Sequence, residues 1–148
     1  MHMTSTGIRA LLCLAVTLWL PEHLLAQEVA VAGTWNGVWI APEGFVYAAE
    51  MHLTLDANNT VEGYITWTLR QSPRPAEQSK IGLTGLEFVR GTYDSRCRVA
   101  RLVGYRLDDP AGILGLDRYE LLLARTGASL GGITWHHGPW TGQLLLTR

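Results

Sequence analysis

This chain predicts an all-β fold, an eight-stranded antiparallel barrel in up-and-down (meander) order. Three observations carry the expectation. Aromatic and β-branched runs recur between Gly, Pro, Asn and Asp. Where the pattern is sharp, apolar and polar side chains alternate with period two, as in a strand with one buried and one wet face. Most connections are short, which favours antiparallel neighbours over crossovers. Eight such strands can close on themselves and leave no free edge. Beyond residue 26 there is no helical pattern of useful length and no fixed-period repeat.

The first 26 residues stand apart. Ala10 to Leu20 form an apolar run behind Arg9, Pro21 breaks it, and Leu24-Leu25-Ala26 offers a small residue for cleavage. This is signal-peptide anatomy, and the run is too short to span a bilayer. Cleavage is expected after Ala26, with Ala32 as the alternative, leaving residues 27–148 as one domain. Cys13 departs with the signal and follows bulky Leu12, a poor context for lipid attachment. No stable membrane anchor is expected. Only Cys97 remains, so no internal disulfide can form. One Lys against many Arg suggests a bacterial genome, and the expected location is periplasmic or secreted. Formal net charge is −1, with no strongly basic run. A nucleic-acid partner, which needs a basic face, is not expected.

Strands are expected at 33–41, 45–55, 60–70, 85–93, 97–107, 117–124, 129–137 and 140–147. The first opens at Gly33-Thr34-Trp35 and ends at the Ala41–Gly44 turn. In the second, Tyr47, Ala49, Met51 and Leu53 oppose Ala48, Glu50, His52 and Thr54. The third sets Val61, Ile65, Trp67 and Leu69 against Glu62, Tyr64, Thr66 and Arg70. Successive connections alternate between the two barrel ends. The tight turns Asp56–Asn59, Asp94–Arg96 and Arg125–Ala128 share one end. The long 71–84 and 108–116 loops share the other, with the Ala41–Gly44 and Gly138-Pro139 turns. A closed base and an open mouth are the expected result.

Gly33-Thr34-Trp35 resembles the Gly-x-Trp of the calycin group, which includes lipocalins, fatty-acid-binding proteins and avidins. The resemblance implies a lipocalin- or avidin-like barrel with this Trp at the closed base, crossed by a basic side chain from the last strand. Arg148, in register with Trp140, Leu144 and Leu146, is placed to supply it. The avidin biotin-binding set does not carry over, since Gly37 stands where its Asn would fall. Small periplasmic protease inhibitors use a similar barrel and also carry a Gly-x-Trp.

Inward alternation gathers Trp35, Trp39, Tyr47, Trp67, Tyr93, Tyr105, Tyr119, Trp135 and Trp140 at the interior or its rim. These form either a pocket for a flat or apolar molecule or a solidly filled core. Trp39, Tyr47, Trp67, Tyr105 and Trp140 lie nearer the open end. In the fifth strand, the row Cys97, Val99, Arg101, Val103, Tyr105 turns Arg101 inward. A three-residue Asp94–Arg96 loop would place Glu87 diagonally across from Arg101, within side-chain reach. That pair is either structural or an anchor for an anionic head group. His137, on the row of Ile133 and Trp135, is a polar contact at the mouth.

No metal, cofactor or catalytic residue is expected. His136 and His137 point to opposite strand faces, and no Cys pair or His-x-x-x-His spacing supports zinc. Asp108-Asp109-Pro110 reads first as turn chemistry. Nor is there a phosphate-binding Gly loop or nucleophile elbow. Cys97 on the apolar row should behave as a small hydrophobe. The expected function is binding of a small apolar or aromatic molecule by Trp39, Tyr47, Trp67, Glu87, Arg101, Tyr105, His137 and Trp140. The alternative is a protein-binding module, such as an inhibitor of an exported enzyme. Ile113 and Leu114 would then form the contact patch unless they fold over the mouth as a lid.

Overall fold

The computed structural model describes residues 31–136 and 140–148. The expected signal segment, residues 1–26, lies outside the described residues, as does His137. Eight strands follow in order: β1 (Gly33–Ile40), β2 (Val46–Leu55), β3 (Thr60–Gln71), β4 (Thr84–Asp94), β5 (Val99–Asp108), β6 (Asp117–Leu123), β7 (Ser129–His136) and β8 (Thr141–Thr147). Each pairs antiparallel with the next, and β8 pairs with β1 to close the barrel. The all-β, up-and-down expectation holds.

Local chemistry makes the turns at the closed end. Asp56 accepts hydrogen bonds from the backbone N–H groups of Asn58 and Thr60 at 2.8 and 2.7 Å. Asn59 adopts the left-handed conformation, φ 62°, which Asn tolerates better than most residues. The β6–β7 turn uses Gly127 at φ 72°. Between β4 and β5, Asp94 accepts from the N–H of Arg96 at 2.9 Å, and Arg98 takes φ 57°.

That last turn corrects the expected register. Its four residues, Ser95–Arg98, pair Asp94 with Val99 and Tyr93 with Ala100. Because side chains alternate every residue, an odd slip exchanges the two faces of a strand. Ala100, Leu102 and Gly104 therefore point inward, while Arg101, Val103 and Tyr105 point outward. Arg101 donates from Nε to Glu120 at 3.1 Å on the outer surface and does not meet Glu87. Tyr105 is 47 % exposed and faces Arg90, whose guanidinium is 5.1 Å from its ring. Cys97 is exposed in the turn, off the apolar row.

The phase of β7 also differs. Leu130 and Thr134 are buried, Ile133 is 56 % exposed, and half-buried Trp135 shares its outer row. Leu145 on neighbouring β8 is 57 % exposed. Here apolar side chains occupy both faces of the sheet, so hydrophobicity alone does not report orientation.

The closed half of the barrel is filled. Trp35, Met51, Ile65, Leu102, Leu121 and Leu146 are among its fully buried side chains. Trp35 donates from Nε1 to the carbonyl of Val31 at 2.9 Å. The guanidinium of Arg148 lies 4.4 Å from the Trp35 ring centroid. It also donates to the carbonyls of Gly127 and Ala32, at 2.7 and 3.1 Å. The basic side chain crossing the tryptophan is thus present at the closed end.

Candidate functional site

The opposite end is built from longer segments, because the β3–β4 and β5–β6 connections both fall there. A short 3-10 helix, Pro75–Lys80, occupies the first. Ser72 anchors it, donating to Glu77 at 2.8 Å while its hydroxyl accepts from the N–H of Arg74 at 3.1 Å. In the second, Asp109 accepts from the N–H of Leu114 at 2.7 Å. Lys80 reaches across to the carbonyl of Gly112 at 2.9 Å, tying the two loops together. The Tyr47 hydroxyl donates to the carbonyl of Ile113 at 2.6 Å. Ile113 and Leu114 are half-buried and pack against the core, so this loop folds over the mouth.

Between these loops and the filled lower half lies a cavity of about 280 Å³. Its wall is aromatic. Tyr47 stands edge-on to Trp39 and Trp67, with centroids 5.7 and 6.2 Å apart. Phe45 and Trp140 meet edge to face at 5.3 Å. Trp39 is fixed by a 2.6 Å hydrogen bond from Nε1 to the Thr134 hydroxyl. Gly142 makes room for it, since a Cβ there would overlap the indole. The strand pattern thus places a large ring against a residue with no side chain.

The floor is polar and centres on Glu87, which is 1 % exposed. Its Oε2 accepts from Trp67 Nε1 at 3.1 Å and from the Tyr119 hydroxyl at 2.5 Å. Its Oε1 accepts from the backbone N–H of Asp117 at 2.9 Å. A Cβ at Gly104 would overlap Oε1, which explains the small residue opposite. Burial disfavours the charged form and pushes Glu87 up to about 7, against the opposing pull of these three donors. Burial likewise raises Asp117 to about 6. Tyr47 is pushed up to about 12, mainly by burial, with Glu77 and Asp109 adding to it. Tyr119 is raised well above its ordinary value by burial and by Glu87.

Five expected site residues converge here: Trp39, Tyr47, Trp67, Glu87 and Trp140 all line the cavity. Arg101 and Tyr105 are on the outer surface, for the register reason given above. His136 lines the cavity. Phe45, Arg74, Glu77 and Asp117 also line the cavity and were not in the expected binding set. Asp117 had a legible signal, because it begins a strand whose next inward residue is Tyr119. Arg74 and Glu77 had none, since a loop side chain has no alternation to orient it.

The arrangement suits recognition: ring faces and edges, a carboxyl held by neutral donors, and an entrance bordered by both long loops. Among the described residues, no group of three or more His, Cys, Asp or Glu is placed to hold a metal ion. No described helix is long and apolar enough to cross a membrane. Comparison with protein-family models, with curated proteins and with solved structures finds no match.

Proposed function

We propose that this barrel is an exported, lipocalin- or avidin-like binding protein for a small apolar or aromatic molecule held at its open end. One observation carries the reading: Trp39, Phe45, Tyr47, Trp67 and Trp140 surround a cavity of about 280 Å³ at the end where both long loops gather. Binding sites are typically apolar concavities with few polar anchors, and Glu87 and Asp117 supply such anchors here. The filled lower half supports the same view, because it gives the cavity a rigid floor. Export to the periplasm or exterior is part of the proposal and rests on the character of residues 1–26.

A protein-binding role through Ile113 and Leu114 has less support. Both side chains are half-buried against the core and contribute little to an exposed patch. Native mass spectrometry of the protein, recovered gently from its own host, tests the choice. A reproducible small adduct lost on denaturation is expected. A bare mass, or a mass carrying another polypeptide, would overturn the small-molecule reading.

A further inference from the structure

We propose that the cavity takes a small organic cation, an amine or guanidinium borne on an aromatic or apolar group; this rests on the ligand-binding reading above. Charge decides the class. Glu77, Glu87 and Asp117 line the cavity, against Arg74 and His136. Arg74 donates to Glu77 at 3.1 Å, so those two charges compensate each other near the rim. Glu87 and Asp117 then remain, two carboxyls against the single imidazole of His136 among the described lining residues. Three neutral donors hold Glu87, filling three of about four acceptor sites on its carboxylate. A cation arriving beside these two carboxyls favours their ionised forms and gains attraction where little water screens it, whereas an anion finds no compensating charge there.

The walls select for the same chemistry. Aromatic faces attract cations through the negative potential above the ring. The protein already uses its mouth in this way. The Arg74 guanidinium lies 4.8 Å from the Trp140 centroid and 5.2 Å from that of Phe45. An arginine side chain thus occupies the rim as a tethered counterpart of the ligand. Below it, Trp39, Tyr47 and Trp67 offer apolar surface for a ring or chain. The cavity volume restricts the whole to a small molecule.

Three probes of one shape test the inference by titration calorimetry: phenethylammonium, phenethyl alcohol and hydrocinnamate. The ammonium should bind about tenfold or more tightly than the alcohol, and the carboxylate should give no signal. Asp117→Asn and Glu87→Gln should each weaken the ammonium about tenfold and leave the alcohol unchanged. Asp117→Asn serves if Glu87→Gln does not fold. Equal or tighter binding of the alcohol or carboxylate overturns the cation assignment and leaves the small-molecule reading standing. Silence from all three probes overturns both.

Discussion

The guanidinium of Arg148 rests over the indole of Trp35, 4.4 Å from its ring centroid, and seals the closed end of the barrel. Two further hydrogen bonds, to the carbonyls of Gly127 and Ala32, join the end of β8 to the β6–β7 turn and to the residue before β1. One side chain therefore fastens three segments that are distant in sequence. Arg148→Ala should lower stability by about 1–2 kcal/mol, because solvent around this exposed side chain weakens both its cation–π contact and its two charge-assisted bonds. Arg148→Lys should recover only part, because an ammonium cannot both stack flat and fork to two carbonyls. Urea midpoints of the three proteins would measure this.

The floor of the cavity makes stability depend on pH. Glu87 rises from an ordinary value of 4.5 to about 7, so the folded state holds its proton more tightly than the unfolded chain does. The sign follows: stability is full below about 4.5 and falls as pH rises to about 7. The loss is on the order of 3 kcal/mol. Asp117, which faces Glu87 beside Tyr119, adds a fall of the same sign up to about 6. Glu87→Gln should remove the Glu87 contribution and leave that of Asp117. It should also lower the acid baseline by about 1–2 kcal/mol, because an amide NH₂ now meets a donor. Unfolding titrations across this pH range would read both effects.

Arg74 competes with any cation for the same rings. Arg74→Ala should free the faces of Phe45 and Trp140 and tighten phenethylammonium binding by several-fold, about 1 kcal/mol. Weakened binding would mean that the guanidinium orders the loop for the ligand. Calorimetry on the variant distinguishes the two.

Cys97 sits exposed in the β4–β5 turn, with Sγ 4.0 Å from the carbonyl oxygen of Asp94. It should react readily with a neutral alkylating reagent in the folded protein, because its thiol is exposed, whereas a buried structural cysteine is inert. Intact mass against time would show it. Strong protection in the folded state would return Cys97 to the interior row and with it the other phase of β5.

Much of this protein was legible without its structure. Alternation in β2 and β3, the turn chemistry at Asp56–Asn59, and the grouping of two long loops at one end together determined an up-and-down barrel with distinct ends. The placement of Trp35 and Arg148 at the closed base followed from the same strand order. These features are local, or depend only on counting connections, so the chain itself specifies them.

Tertiary structure decided the rest. Whether Arg101 faces in or out depends on the length of one turn, because a slip of an odd number of residues exchanges both faces of β5. On its inner row, Gly104 lacks a side chain for a reason only the fold reveals: a Cβ there would overlap the carboxyl of Glu87. In β7, inward Thr134 receives the Trp39 indole while Ile133 faces outward, so the polar side chain is the buried one. Loop residues Arg74 and Glu77 enter the site only when the chain closes. Sequence pattern determines which segments are strands, but the register and the packing partner across the barrel determine which side chains meet in the cavity.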